Sequence, residues 1–337
     1  MIETQSFARA GLLGNPSDGY HGKTIAFSVR NFSAQVRLVE SPQLSIEPLP
    51  EDALPTYAST LEFMQQVERF GYHGSLRLVK ASIKTFFSWC QQYQAGIHDH
   101  PFTLQYSTNI PRSVGMAGSS AIITAILKAL NRFYESNISP QVLASMALQV
   151  EHQELGIAAG LMDRVIQMLD DVVFMDFDQT KIVSETGYEI GHYETLSKSL
   201  LEEKLYLAWA NQAAEPTEVL HNRLKERFMA DDQDVVTAMG KFADLAEQGR
   251  EALRSNDLES LNRLIDANFD LRTSICQLPE LHHQMVTLAR HAGASAKFCG
   301  SGGAITGIAA DQATFQRVTD SLAQIGCQVI RPIIRRT

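Results

Sequence analysis

A loop rich in glycine and serine, residues 115–120, runs directly into a strongly apolar segment, residues 121–134. The apolar residues of this segment are dense enough to indicate a buried helix, and residues 102–107 before the loop have the pattern of a β-strand. Glycine lets the backbone approach a ligand closely, and the free N–H groups at the start of a helix favour an anion. The sequence therefore predicts a strand, an anion-binding loop and a buried helix in this order.

Two other glycine-containing segments do not complete a common nucleotide-binding motif. Residues 22–24 end like a Walker A motif, but Ser17 stands where the motif requires glycine, and a strand pattern follows where it requires a helix. Residues 300–303 begin like a dinucleotide-binding fingerprint, but its third glycine would fall on Ile305. Residues 111–121 are therefore the better phosphate site, with an ordinary serine-capped helix as the alternative.

Strand and helix patterns are grouped along the chain. Residues 24–29 and 34–39 alternate apolar with polar side chains around a short interruption, which predicts a β-hairpin. Residues 42–55 contain four prolines, so we predict a loop there. Four helical patterns follow one another, at residues 216–228, 232–255, 258–275 and 280–291. Strands followed by clusters of helices favour an α+β fold.

Composition limits the classes of partner. The hydrophobic fraction of 45% supplies a sizeable core, and a net charge of -9 with a pI near 5.6 argues against nucleic acid or an anionic membrane as a partner. No apolar run reaches the roughly 18 residues of a transmembrane helix, and residues 1–10 lack the apolar stretch of a signal peptide. The four cysteines are scattered, which is typical of reduced thiols. We therefore expect a cytoplasmic protein.

Two acidic residues, Glu151 and Asp163, flank a glycine-containing turn. Phosphoryl transfer from a nucleotide uses one carboxylate to hold Mg²⁺ and benefits from a second near the acceptor hydroxyl. Two solvated surface charges are the alternative. Asp163 lies in an apolar setting and needs a partner if it is buried. Arg9, between two alanines in a candidate buried strand, is a plausible partner, with a surface arginine on an edge strand as the alternative.

The order of these segments resembles the GHMP kinases. Residues 9–18 resemble the first motif of the family, residues 111–121 its phosphate loop, and residues 297–304 its C-terminal glycine-rich loop. The segment from Glu151 to Asp163 resembles galactokinases, in which a glutamate also precedes the aspartate of a G-[IL]-M-D run by twelve positions. The order of the motifs is more specific than any one of them.

Within that family the chain most resembles the glucuronokinases, from about residue 7 to about residue 310. The matching runs are residues 8–18, 108–112, 118–122, 154–157, 160–164, 268–272 and 296–304. The resemblance implies a two-domain fold, with a ribosomal-S5-like α/β domain followed by a ferredoxin-like α+β domain. We place their division in the region 176–200, as residues 1–185 and 186–337. The oligomeric state is not predicted.

The resemblance also implies a reaction. ATP and Mg²⁺ would be used to phosphorylate the anomeric hydroxyl of D-glucuronate by direct in-line transfer, so the expected partners are a sugar acid and ATP. One alternative is a GHMP kinase for another acceptor, such as galacturonate, a neutral hexose, a heptose derivative or mevalonate. A second is a non-catalytic sugar sensor of the same fold. Sensors tend to lose the motif residues that this chain retains, which disfavours that reading.

The resemblance assigns roles to matching residues. Asp163 would face the anomeric hydroxyl and pair with Arg9, while Glu151 and Ser120, or Ser119 in its place, would hold Mg²⁺. One extra residue before the serines leaves that choice open. The expected nucleotide contacts are Pro111, Gly115, Met116, Ala117, Gly118, Ser119, Ser120, Ala121, Gly300, Ser301 and Gly302, with Gly303 as a further backbone contact.

The acceptor site would use Asp18 and Asn15 from the first motif. A uronate carboxylate needs a cation or solvent, and the candidate partners are Arg112, Arg164, Lys23, His21 and Lys297. Arg164 directly follows Asp163, so on a helix it projects about 100° away and a structural role is the alternative. Lys23 stands where plant glucuronokinases are expected to have arginine, and lysine cannot replace a bidentate guanidinium.

Overall fold

The computed structural model describes residues 1–47, 56–57, 59–70, 76–210 and 224–334. Its strands are β1 (Ile2–Leu13), β2 (Lys23–Glu40), β3 (Leu44–Glu47), β4 (Thr56–Tyr57), β5 (Phe102–Thr108), β6 (Val172–Asp176), β7 (Val183–Glu185), β8 (Tyr188–Ile190), β9 (His192–Thr195), β10 (Leu205–Ala210), β11 (Lys297–Phe298), β12 (Ala304–Ile308) and β13 (Cys327–Ile330). Its helices are α1 (Thr60–Phe70), α2 (Arg77–Gln92), α3 (Gly118–Phe133), α4 (Pro140–Gln149), α5 (Met162–Leu169), α6 (Gln233–Arg254), α7 (Leu258–Ile275), α8 (Glu280–His291) and α9 (Gln312–Ala323).

The large sheet is built around one long strand. Its order is β4-β3-β5-β2-β6-β9, with β1 also paired to β2. The predicted hairpin is wrong, because residues 24–29 and 34–39 belong to the single 18-residue strand β2. Phe7 pairs with Ser33 while the next residue, Ala8, pairs with Val29, so the interruption is a bulge and the chain does not reverse there.

The proline-rich stretch 42–55 is only partly irregular. Leu44–Glu47 forms strand β3, which runs parallel to β5, so the predicted loop is wrong for these four residues. Leu44 and Ile46 alternate with polar neighbours and are fully buried, which is the pattern of a strand with one face on the core. The prolines at 48, 50 and 55 lie outside the described residues.

Helix α3 is the centre of the larger core. It lies against β1 and β2 on one side and against α2 and α4 on the other. Ile123, Ile126 and Leu127 are fully buried, and each such side chain contributes about 1.5–3 kcal/mol. This packing fixes the start of α3, and therefore the loop before it, relative to β1.

The second sheet contains β11, β12, β10 and β13, all antiparallel. Helices α7, α8 and α9 supply apolar side chains to its core, including Phe269, Met285 and Val318. Helix α6 packs against β2 and α7, and so connects the two parts. The large sheet also includes β9, His192–Thr195, although this strand comes after the predicted domain division between residues 185 and 186. The position of the division stays a prediction.

Two expectations concern helices. Of the predicted helix 216–228, only the part from residue 224 is described, and residues 224–229 are helical. Across the described ranges, every helix is too short or too polar to cross a membrane.

Candidate active site

Three loops from distant parts of the sequence meet at one place. We call them the first loop (residues 14–20), the Gly-Ser loop (111–120) and the C-terminal loop (299–303). A methyl group added at Gly115, where φ is +74°, would overlap the carbonyl oxygen of Gly302, and one added at Gly300 would lie 2.5 Å from the carbonyl oxygen of Gly115. The Gly-Ser and C-terminal loops therefore pack backbone against backbone, which requires glycine at these positions.

Arg9 connects these loops to Asp163, which lies 154 residues away in sequence. Its Nε donates to Asp163 Oδ1 at 2.5 Å and its Nη2 to Oδ2 at 2.7 Å. Its Nη1 donates to the carbonyl oxygens of Gly115, at 2.6 Å, and Cys299, at 3.3 Å. Burial alone would lower the pKa of Arg9, but the facing carboxylate of Asp163 raises it above its ordinary value. The guanidinium is therefore a fixed positive charge beside the Gly-Ser loop.

Glu151 lies in a π-helical turn, Val150–Glu154, that directly follows α4. Such turns are frequent at functional sites. The Glu151 carboxylate accepts from Arg164 Nη2, and the two side chains are 3% and 5% exposed. Arg164 Nη1 also donates to the carbonyl oxygen of Gly160 at 2.7 Å and lies 3.6 Å from Asp163 Oδ2. Burial, together with the charge of Arg9, lowers the pKa of Arg164 to about 9.

These contacts join Gly115, Arg9, Asp163, Arg164 and Glu151 in one continuous chain. Since Arg164 is buried and donates to protein acceptors, it holds the two carboxylates in place. The alternative of a structural role for Arg164 fits this geometry better than contact with a ligand.

The start of α3 lacks a side-chain cap. Ala117 precedes the helix in a left-handed conformation (φ 62°), and no side chain in the described ranges accepts from the first-turn N–H groups. Ser120 is 2% exposed and its hydroxyl donates to the carbonyl oxygen of Ala117 at 3.1 Å, while Ser119 is exposed. The helix start is thus open to an anion, and the two serines differ in accessibility.

The other residues of the Gly-Ser loop divide by burial. Met116 and Ala121 have side chains in the core, 1% and 0% exposed, so only their backbones face a ligand. Pro111 and Gly118 are half-buried, and Arg112 is exposed.

A magnesium ion fits this donor set when a nucleotide is present. Among the described residues, no group of three or more His, Cys, Asp or Glu side chains is placed to hold a metal. Mg²⁺ commonly uses one or two carboxylates together with phosphate oxygens and water. Glu151 Oε2 faces Arg164, whereas Oε1 makes no hydrogen bond to the described part of the chain. One carboxylate oxygen and a serine hydroxyl are therefore available.

Asn15 and Lys297 are bound to each other. Lys297 Nζ donates to Asn15 Oδ1 at 2.5 Å and to the carbonyl oxygens of Gly11 and Phe298 at 2.8 and 2.9 Å. Lys297 is 1% exposed, and burial holds its pKa well below the ordinary value. The three N–H donors of Lys297 are satisfied by these acceptors, whereas only the side-chain oxygen of Asn15 is engaged by Lys297.

Helix α7 holds both the first and the C-terminal loop, which the sequence reading did not anticipate. Asn268 Oδ1 accepts from Gly14 N at 2.7 Å, and Arg272 donates to the carbonyl oxygens of Gly300 and Ser301 at 2.8 and 3.1 Å. The signal was present, because both residues lie in the glucuronokinase-like run 268–272. Their spacing of four places them on one helix face.

Asp18 borders a small cleft of about 80 Å³. Its Oδ2 accepts from Met162 N at 3.2 Å, and a methyl group on Gly160 would overlap it. Burial, and secondly the charge of Asp163, raise the pKa of Asp18 to about 6. Asp18 is therefore held beside Asp163, as two groups binding one substrate require.

The remaining basic candidates have different surroundings. Lys23 Nζ lies 2.6 Å from Glu247 Oε2 and 3.9 Å from Asp176 Oδ2. His21 Nε2 lies 3.1 Å from the side-chain amide of Gln179. Arg112 is exposed and has no ion pair or hydrogen bond with the residues that the structure describes.

A glycine-rich loop at an open helix start, beside a buried Arg–Asp pair, is an arrangement suited to a small-molecule kinase. The family GHMP kinases N terminal domain matches residues 77–171. Two Arabidopsis thaliana proteins, Probable glucuronokinase 2 and Glucuronokinase 1, are 40% and 39% identical to the chain over 312 residues, which are 90% of this chain and 83% and 84% of theirs. The chain belongs to the GHMP kinases, and the predicted resemblance to glucuronokinases is confirmed.

The solved structures support the same fold. A Lactococcus lactis galactokinase in complex with galactose is 15% identical and superimposes with a TM-score of 0.79, covering 98% of this chain and 93% of that one. At this identity the likeness concerns the fold alone. The predicted two-domain GHMP fold is confirmed.

Proposed function

We propose that the chain is a sugar 1-kinase that transfers the γ-phosphoryl group of ATP directly to the anomeric hydroxyl of D-glucuronate, with Mg²⁺ as cofactor. The paired Arg9 and Asp163, attached to the Gly-Ser loop through Gly115, carry the proposal for the chemistry. The 40% identity to a protein named as a probable glucuronokinase supports the choice of acceptor.

Asp163 acts as the base in this proposal. As the sugar oxygen bonds to the γ-phosphorus, the hydroxyl proton passes to Asp163, and the bond from phosphorus to the bridging oxygen of ATP breaks to release ADP. Both carboxylate oxygens accept from Arg9, which fixes the orientation of the carboxylate and neutralises its charge. Arg9 also brings a positive charge toward the transferred group.

The Gly-Ser loop and the start of α3 receive the phosphates. Backbone N–H donors at an uncapped helix start bind anions without a side chain, and the C-terminal loop packs behind Gly115 to hold that backbone in place. When bound, Mg²⁺ neutralises phosphate charge, and Glu151 with Ser120 or Ser119 would hold it. Positioning and charge stabilisation supply most of the catalysis in such a transfer.

Asp18 accepts hydroxyl groups of the acceptor. Its carboxylate accepts from the backbone N–H of Met162, the residue directly before Asp163. We place the phosphate and acceptor sites in residues 1–185 and the supporting C-terminal loop in residues 186–337, and we propose a cytoplasmic location.

The test is ADP release by the purified protein with ATP, Mg²⁺ and a panel of glucuronate, galacturonate, glucose, galactose and mevalonate. Selective turnover of glucuronate is the expected result, with Asp163→Asn as the inactive control. Turnover of a neutral sugar or mevalonate would agree with the proposed mechanism but would show that glucuronate is not the acceptor. ATP binding without turnover of any acceptor would favour the sensor.

A further inference from the structure

The cleft beside Asp18 is also lined by a residue that the sequence did not indicate. The helical segment 224–229 contributes Lys225 to its lining, together with His152 and Gly160. With a volume of about 80 Å³, the cleft can admit polar substituents of a ligand, since about 10–15 Å³ of such volume accommodates one water molecule.

The segment that carries Lys225 is firmly attached. Leu224 is 2% exposed, and the ring of Phe228 packs on that of Tyr20 with centroids 4.7 Å apart. Arg227 Nη1 donates to the carbonyl oxygen of Ile275 at 2.6 Å, and its Nε lies 2.8 Å from Asp232 Oδ2. Since Tyr20 follows Asp18 by two positions, this packing sets the Lys225 backbone relative to Asp18.

Among the residues that the structure describes, Lys225 has no competing partner. It is exposed, and it makes no ion pair or hydrogen bond with the described part of the chain. It lies near His152, whose pKa is lowered by burial and further by the charge of Lys225. His152 Nε2 is occupied by the backbone of Ala159, with contacts of 2.7 and 3.0 Å.

The other basic residues close to the site are committed elsewhere. Arg164 pairs with Glu151, Lys297 is surrounded by three acceptors, and Lys23 pairs with Glu247. Arg112 is without such a partner, but it is not among the residues that line the cleft with Asp18.

We propose that Lys225 binds the carboxylate of the sugar-acid acceptor and thereby selects uronates over neutral sugars. This inference rests on the proposed function. Asp18, which lines the same cleft as Lys225, repels an anion and attracts hydroxyl groups, so the carboxylate is directed toward Lys225. With hydroxyls on Asp18 and the carboxylate on Lys225, the ring is held in one orientation, and the anomeric hydroxyl is left for Asp163.

The experiment compares Lys225→Gln with wild type, using steady-state kinetics on glucuronate and glucose and calorimetric titration of glucuronate. Loss of a charge-assisted contact is expected to raise KM and Kd for glucuronate about tenfold or more, with kcat changed less than threefold and any turnover of glucose unchanged. Lys225→Arg is expected to restore most of the affinity. Lys241→Gln, at an exposed lysine of α6 outside the cleft lining, is the matched control.

The outcomes separate this inference from the proposed function. If wild type phosphorylates glucuronate and Lys225→Gln has an unchanged KM, the inference is wrong and the function stands. The same conclusion follows if Arg112→Gln, and not Lys225→Gln, removes the preference for the acid. If wild type uses galacturonate in place of glucuronate, the proposed acceptor is wrong, and a raised KM of Lys225→Gln for galacturonate still supports the inference while an unchanged KM overturns it. If it uses only neutral acceptors, both proposals are wrong.

Discussion

Arg164 and Glu151 form an ion pair inside the protein, with side chains 5% and 3% exposed. Glu151, which is expected to hold Mg²⁺, is therefore oriented by Arg164, the residue directly after the expected base Asp163. A buried pair that loses one member leaves an uncompensated charge, which is the main cost of such substitutions.

Replacing Arg164 by Met is expected to lower the free energy of unfolding by about 3–5 kcal/mol, because Glu151 would stay buried without its cation. Adding Glu151→Gln in the same chain should recover much of this loss, since the remaining group is neutral. Urea denaturation of both variants and wild type measures the effect. If Arg164→Met alone were as stable as wild type, the ion pair of Arg164 and Glu151 would not stabilise the fold.

Asp163→Asn should lower kcat by about 10²–10⁴-fold, the usual range for removal of a general base. Nucleotide affinity should change little, because Arg9 still contacts Gly115 through Nη1. Stopped assays of ADP release and titration of ATP give the two quantities. A kcat near that of wild type would exclude Asp163 as the base.

Glu151→Gln should raise the Mg²⁺ concentration needed for half-maximal activity, with a smaller effect on stability than removal of the whole side chain. The amide keeps the shape of the side chain and an acceptor for Arg164, but it is a weaker ligand for Mg²⁺. Activity measured across a Mg²⁺ titration at saturating ATP tests this. An unaltered Mg²⁺ requirement would place the ion elsewhere.

The pH dependence of acceptor binding should follow Asp18. Its pKa is raised to about 6 by burial and by Asp163, so below that pH it becomes protonated and loses its charge-assisted contacts with hydroxyl groups. The apparent KM for the acceptor should rise as pH falls through about 6. The Asp18→Asn variant should have a raised KM for the acceptor at pH 8, and its KM should not rise further as the pH falls through 6.

The raised pKa of Asp18 changes the free energy of unfolding with pH in the opposite direction from the lowered pKa of an ordinary ion-paired carboxylate. The folded protein binds the Asp18 proton more tightly than the unfolded chain does, so Asp18 costs stability as pH rises from about 4 to about 6, and the full cost persists above that. Asp18→Asn should therefore raise the melting temperature at pH 7.5 more than at pH 4. An equal change at both pH values would contradict the raised pKa.

The sequence predicted the elements that have strong local signals. The buried helix after the Gly-Ser loop is α3, and the helical patterns at 258–275 and 280–291 coincide with α7 and α8. The prediction of a hairpin at residues 24–39 was wrong because a bulge and a turn both interrupt the alternation of side chains. Only the pairing of β2 with β1 distinguishes the two.

The candidate site was predictable where a family motif or a charge requirement applied. A buried Asp163 needs a cation, and Arg9 was an available one. By contrast, the position of Lys225 depends on the packing of Phe228 against Tyr20, which no local pattern encodes. The internal use of Lys297 and Arg164 likewise follows from burial, which a single sequence does not give.

The contact between Gly11 N and Cys299 O, at 2.7 Å, joins strand β1 to the C-terminal loop. Arg9 and Arg272 add further contacts to that loop, and Asn268 holds the first loop. During translation, strands β1 to β9 leave the ribosome before residues 299–303 are made. The large sheet can therefore fold on the ribosome while the C-terminal loop, and with it the proposed nucleotide site, is still absent.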